Sequence, residues 1–204
     1  VVYTEFVPYR GWRIISPIIA PTVDAINYDM KTNEYYRIDA VSSNEDGKSR
    51  IVILIFSPTS KYSKSRSEIQ SLMSTINSER ISSGEKLSEV IIIAEDQFFT
   101  KIRTIYKKSE RGTDDVIYNA YHYRNFIYVI PKHRSIPVHR IMTPEESKDI
   151  IRITGYSKLG LPVIFANDPP IIWLGGKPGQ IVEITRVSQT AGKSLYYRQI
   201  MPVS

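Results

Sequence analysis

The stretch Ile51-Val-Ile-Leu-Ile-Phe56 decides the fold class of this 204-residue chain. Six consecutive apolar residues, most of them β-branched, carry no polar alternation, so the segment reads as a strand buried on both faces. Downstream, Ile69, Leu72, Met73 and Ile76 recur at i, i+3, i+4 and i+7, which predicts one apolar face of a helix. Val90-Ile-Ile-Ile-Ala94 and Phe126-Ile-Tyr-Val-Ile130 repeat the buried-strand pattern, and between them Phe98, Phe99, Ile102 and Ile105 make a second helical stripe. Strand, helix, strand, helix, strand is the order of a parallel or mixed sheet covered by helices, so the expected class is mixed α/β. Upstream, Pro8, Pro17 and Pro21 break the pattern, and Asn44-Glu-Asp-Gly47 reads as a turn before the first strong strand.

Pro131-Lys-His-Arg-Ser-Ile-Pro137 interrupts this order and reads as a linker, giving an α/β domain over 1–134 and a small α+β domain over 135–204. Beyond it, Thr143-Pro-Glu-Glu146 places a hydroxyl at an N-cap, proline at the first helical position and glutamate three residues after the cap. That is a capping box, with Gly155 as the stop. Asp168-Pro-Pro repeats the cap-then-proline device for a short helix ending at Leu174-Gly175. Residues 180–187 and 195–200 read as paired strands around the Ser188-Gln-Thr-Ala-Gly192 loop.

Composition narrows the function classes. At 42% hydrophobic and 24% charged, the chain is neither disordered nor fibrous. The six-residue run is the longest apolar stretch, far below the roughly 18 residues that cross a bilayer, and the first residues lack the basic flank and apolar core of a secretory signal. Zero cysteines exclude disulfides, thiolate metal sites and cysteine nucleophiles, and no Asn-x-Ser/Thr acceptor occurs, so the expected location is intracellular. A net charge of +6 and a pI near 9.4 give a mild form of the electrostatic footprint of a nucleic-acid partner. Residues 1–134 carry 19 Lys+Arg against 16 Asp+Glu and residues 135–204 carry 8 against 5, so the shorter half is the more basic per residue.

Short motifs favour bland readings. Ala191-Gly-Lys-Ser194 ends like a phosphate-binding loop, but the required earlier glycine is Val187 and a β-like Leu195-Tyr-Tyr follows, so a polar hairpin turn is expected. Asp46-Gly-Lys48 ahead of a buried strand has the acid-x-Lys form of metal-dependent nucleases, whose further carboxylates would come from Asp24, Asp29 or Asp39. No spacing singles one out, and an Asp-Gly turn is commoner. His122, His133 and His139 have no i, i+4 pair and no cysteine to complete a zinc set, so structural or surface roles are expected and no metal is called for. Two basic stretches are candidates for the DNA backbone: Lys61, Lys64 and Arg66, and then Lys101, Arg103, Lys107, Lys108 and Arg111. The alternative for each is a solvated face.

The last third is more specific. Leu161-Pro162, Asp168-Pro169, Leu174-Gly175, Lys177, Gly179-Gln-Ile-Val-Glu-Ile184, Arg186, Ser188-Gln-Thr-Ala-Gly192 and Tyr197-Arg198 follow one another in order. This run resembles the C-terminal assembly domain of the fifth subunit of eukaryotic-type multisubunit RNA polymerase and its archaeal homologue. The resemblance covers about 70 residues and extends more weakly upstream into a jaw domain, at 51–58, 90–100 and 126–137, while residues 1 to about 45 depart from the family pattern.

The resemblance implies an N-terminal α/β jaw domain and a C-terminal α+β assembly domain that docks on the largest polymerase subunit among other subunits, with downstream duplex DNA held non-specifically. It implies a polymerase-docking and structural motif of Leu161, Pro162, Asp168, Pro169, Gly175, Lys177, Gly179, Arg186, Ser188, Thr190, Gly192, Tyr197 and Arg198. It implies no catalytic residue, no cofactor and no membrane partner. The divergent first domain suggests a copy encoded by a large cytoplasmic DNA virus, acting in host cytoplasm and virion; a cellular copy would act in the nucleus. The competing readings are a stand-alone metal-dependent nuclease using Asp46 and Lys48, and a freestanding DNA-binding regulator.

Overall fold

The computed structural model describes residues 1–42, 49–63, 66–83, 86–95, 116–155, 160–188 and 192–203. The chain divides into two compact units, Val1–Ile127 and Tyr128–Ser204.

In the first unit a π-helical turn, Val2–Phe6, runs into α1 (Val7–Tyr9), followed by β1 (Trp12–Ser16), α2 (Val23–Thr32), β2 (Tyr35–Ser42), β3 (Ser49–Phe56), α3 (Arg66–Ser83), β4 (Lys86–Ala94) and β5 (Ile117–His122). The sheet has the order β1-β2-β3-β4-β5, antiparallel through β1, β2 and β3 and parallel through β3, β4 and β5. The apolar run at 51–56 forms the middle strand, where Ile53 sits in register with Ile38 on one side and Ile91 on the other, all three at most 1% exposed. A strand flanked on both sides and buried on both faces has no use for polar alternation. The stripe of α3 lies on one face of the sheet: Ile69, Met73 and Ile76 pack with Val52, Leu54, Phe56, Val90 and Ile92, with Leu72 at the margin.

A second aromatic group centres on Phe6, fully buried, with its ring edge-on to Trp12 at 6.0 Å and to Phe126 at 4.9 Å. The Arg10 guanidinium lies 4.8 Å from the Trp12 ring centre and 3.7 Å from the Glu89 carboxylate, which also accepts a 2.7 Å bond from Asn119. The neighbouring Tyr121 hydroxyl is pushed up to about 12 by burial, an effect that Arg10 partly offsets.

This group corrects one expectation. The run Phe126–Ile130 is not a strand; the parallel edge strand is Ile117-Tyr-Asn-Ala-Tyr-His122. The His122 ring nitrogen accepts the Arg124 amide at 2.9 Å and caps a 3₁₀ turn, Tyr123–Phe126, that leads the chain out of the sheet. Phe126 then anchors on Phe6, leaving Ile127 54% and Tyr128 67% exposed. The stripe at 98–105 and the turn at 44–47 lie outside the described residues.

The second unit opens with a 3₁₀ turn, Ile130–Lys132, and continues with β6 (Val138–Ile141), α4 (Pro144–Thr154), β7 (Val163–Phe165), α5 (Pro169–Leu174), β8 (Ile181–Ser188) and β9 (Gly192–Met201). Because the 3₁₀ turn packs against α5, residues 128–134 go with this unit. The sheet order is β6-β8-β9-β7, with β7 parallel to β9 and the other pairs antiparallel. Alternation sorts its side chains into two cores. Ile164, Val182, Ile184 and Ile200 meet Ile171 of α5, while Ile181 joins Met142 and Leu161 against Ile150 and Ile151 of α4. A helix therefore covers each face.

Among the described residues no helix is long and apolar enough to cross a membrane.

Candidate functional site

The capping box at the start of α4 forms as expected. Thr143 Oγ1 accepts the Glu146 amide at 3.2 Å and Glu146 accepts the Thr143 amide at 2.8 Å. Glu146 also takes the Arg140 guanidinium at 2.8 Å, and Arg140 reaches on to Glu183 of β8 at 3.2 Å, so one arginine ties α4 to two strands. The Thr143 amide, and after it Arg140, hold the Glu146 carboxyl below its ordinary range.

At α5 the cap differs from the expectation. Asp168 occupies the N-cap, but its side chain makes no capping bond; its backbone carbonyl accepts the amides of Ile171 and Ile172, each at 2.9 Å. Pro169 and Pro170 leave no N–H at the first two helical positions, so a side-chain acceptor has little to satisfy. The Asp168 carboxyl is instead raised by burial, against the opposing influence of His139 and Arg198. At the other end Gly175 adopts φ +72° and the amides of Gly175 and Gly176 bond the carbonyls of Ile172 and Ile171, the paired bonds of a Schellman stop.

Gly176, outside the motif picked out from the sequence, is required for a different reason. A Cβ placed there would lie 2.6 Å from Ile200 Cδ1 and 2.7 Å from Ile171 Cγ2, so this backbone is pressed directly onto the core. Its one signal in the sequence is its place beside Gly175.

The remaining motif residues mostly build the frame. Lys177-Pro178-Gly179-Gln180 is a turn with proline second and Gly179 third at φ +89°, closed by the Gln180 amide on the Lys177 carbonyl at 3.2 Å. The Gly179 amide donates to Ile200 at 2.8 Å. Leu161 is buried with Ile181, and Tyr197 packs beside it. The Pro162 carbonyl accepts the Gln199 amide at 2.9 Å. Arg198 donates to the Val163 carbonyl at 3.2 Å. Ser188 faces Gly192 across the end of the hairpin, and Thr190 lies outside the described residues. Gly192, Lys193 and Ser194 begin strand β9, so no helix N-terminus stands behind the Gly-Lys-Ser string and it offers no phosphate cradle.

Arg186 is exposed, and its guanidinium sits 5.1 Å from the centre of the Tyr196 ring. Tyr196 is itself 48% exposed, and Leu195, Val138 and Val187 are open on the opposite face.

All three histidines serve local structure. His122 caps the turn already described, His133 Nδ1 accepts the Ser135 amide at 3.2 Å, and His139 Nδ1 lies 2.6 Å from the Pro137 carbonyl.

Of the DNA-backbone candidates, Lys61 is exposed with its ammonium 5.3 Å from the Tyr62 ring, and Arg66 opens α3. Lys64, Lys101, Arg103, Lys107, Lys108 and Arg111 lie outside the described residues, as do Asp46 and Lys48. The carboxylates that could have joined Asp46 are dispersed. Asp24 and Asp29 ride on α2, while buried Asp39 is held by Arg37 and Arg50 at 3.0 Å each. A carboxylate shared by two guanidiniums is a structural anion rather than a metal ligand. Among the described residues no three His, Asp or Glu side chains converge as a metal site would require.

Comparison with known proteins points to the second unit. Residues 128–200 match the family described as RNA polymerase Rpb5, C-terminal domain. Over 198 residues, 96% of this chain and 92% of the relative, the chain is 28% identical to a DNA-directed RNA polymerase RPB5 homolog of African swine fever virus. Over 75 residues it is 41% identical to the DNA-directed RNA polymerase subunit Rpo5 of Nitrosopumilus maritimus, covering 37% of this chain and 90% of that protein. The Rpo5 of Archaeoglobus fulgidus is 40% identical over 74 residues, 97% of its length.

Proposed function

Since the chain belongs to the Rpb5-type family of DNA-directed RNA polymerase subunits, we propose that it is a non-catalytic subunit of a viral transcription enzyme, docked through its second unit on the largest subunit. The carrying observation is one of coverage. Archaeal Rpo5 subunits are matched over 90% and 97% of their lengths by about a third of this chain, so a body of that size is a whole polymerase subunit elsewhere. The motif residues support an assembly role because they stop helices, close turns and fill a core. Among the described motif side chains none supplies a nucleophile with an orienting base.

In this reading the first unit forms part of the jaw beside downstream duplex DNA. Its contacts are with phosphates, independent of sequence, and no tighter than about 10⁻⁶ M for the isolated chain at physiological salt. The test is co-purification. Tagged chain expressed in cells producing the polymerase should emerge with the large subunits at one copy per enzyme. Recovery only as a free chain, with the polymerase assembled without it, would overturn the proposal.

A further inference from the structure

Strand β9 is covered unequally on its two sides. β8 pairs with it from Gly192 to Gln199, whereas β7 pairs with the other side only at Gln199, Ile200 and Met201. In a strand the N–H and C=O of one residue point to the same side and alternate along the chain. The Gln199 amide bonds Pro162 at 2.9 Å on the β7 side, and the Ile200 amide bonds Gln180 at 2.9 Å on the β8 side. By that alternation Tyr197, Leu195 and Lys193 turn their backbone groups away from β8. Among the described residues no strand lies beside them there.

The flanks of this open edge have a definite chemistry. On one face Leu195 is 52% exposed, in a row that continues across Thr185 to Val138. On the other face stand Tyr196, with Arg186 over its ring, and Arg198. Arg186 engages the ring and Arg198 a carbonyl, so neither charge is neutralised by an ion pair among the described residues. Lys193 adds a third cation at the start of the edge. A second copy of the chain would bring the same three cations against these, which disfavours self-pairing.

We propose that the outer edge of β9 from Lys193 to Tyr197, a span of roughly 13 Å, receives an extended segment of another polymerase subunit. That segment adds as a fifth strand, placing apolar side chains over Leu195 and carboxylates at Arg186 and Arg198. The mode is strand addition, in which backbone pairing supplies affinity and alternate side chains supply selectivity. It rests on the reading of the chain as a polymerase subunit.

Residue-resolved hydrogen exchange on the full chain, free and within the purified polymerase, tests the proposal. Amides of Ser194, Tyr196 and Arg198, bonded to β8, exchange slowly in both states. Those of Lys193, Leu195 and Tyr197 exchange fast in the free chain and should slow by roughly 100-fold on assembly. In parallel, Leu195→Pro removes an outward N–H without touching the β8 ladder, a change that edge strands tolerate. It should fold, as judged by circular dichroism, yet enter the polymerase at least about tenfold less than Leu195→Thr, which keeps the N–H. Incorporation with those three amides still fast overturns the edge proposal and leaves the subunit reading standing. Should Leu195→Pro fail to fold, the wild-type exchange data decide. Protection of the same amides in a homodimer makes a second copy the occupant and also overturns it. Failure of the wild-type chain to enter any polymerase removes the subunit reading, and the proposal with it.

Discussion

The Arg186 guanidinium lies over the Tyr196 ring, a diagonal contact between neighbouring strands of the second unit, since Arg186 itself faces Ser194 and Tyr196 faces Ile184. At an exposed site such a pair contributes about 0.5–1 kcal/mol. Replacing Arg186 with glutamate should therefore lower the unfolding free energy by no more than about 1 kcal/mol while sharply reducing recovery with the polymerase. Urea unfolding and co-purification report the two effects separately. A loss of ~3 kcal/mol or more would make the arginine a structural element instead.

Gly176→Ala forces a methyl onto Ile200 Cδ1 and Ile171 Cγ2, in two side chains that are both fully buried. Overpacking of this kind costs about 1–3 kcal/mol. The expected result in urea is a lower midpoint for the second unit. An unchanged midpoint would show that the two isoleucines repack.

Thr143→Ala removes the hydroxyl of the capping box and should cost about 1 kcal/mol. Its partner Glu146 predicts a pH effect. The native carboxyl titrates below the ordinary 4.5 because the Thr143 amide and Arg140 favour the ionised form. A depressed native value contributes stability that is present above the unfolded pKa and is lost as the pH falls through the native one. Glu146→Gln should thus destabilise at neutral pH, with a difference from wild type that shrinks in acid. A constant difference down to about pH 3 would refute this linkage.

Tyr121 predicts the opposite limb. Burial raises its hydroxyl from 10.0 to about 12. A raised native pKa contributes stability that is complete below the unfolded value and is lost as the pH rises through the native one. Wild type should lose roughly 3 kcal/mol between pH 10 and about 12 from this group, at 1.36 kcal/mol per unit. In Tyr121→Phe that component of the alkaline limb should vanish; alkaline unfolding curves of the two proteins that superimpose after scaling would refute it.

What could be read in advance follows from how local each signal was. The run at 51–56, the α3 stripe and the Thr143–Glu146 box each depend on residues within a few turns, and each appears where expected. The edge strand β5 is not legible in the sequence because Asn119 and His122 make it look polar. The Asn119 amide finds Glu89 across the sheet and His122 caps the next turn, satisfactions that only the tertiary structure supplies. Phe126–Ile130 misled for the converse reason: its apolar residues look buried in sequence, yet only Phe126 has a buried site waiting in the aromatic group around Phe6.

The motif between Leu161 and Arg198 is legible as a pattern, but not the work of its members. Adjacent Gly175 and Gly176 look equivalent, although one serves a left-handed backbone and the other a close approach. Asp168 looked like a side-chain cap and acts through its carbonyl, because two prolines stand where the donors would be.

Those prolines have an electrostatic consequence. A helix start binds phosphate through its first free amides, and α5 has none at its first two positions and has committed the next two to Asp168. The positive end of this helix is closed to anions. Nucleic acid near the second unit therefore finds no helix-start site on α5, and each phosphate neutralised there by an arginine or lysine side chain should steepen the salt dependence of binding by close to one counterion.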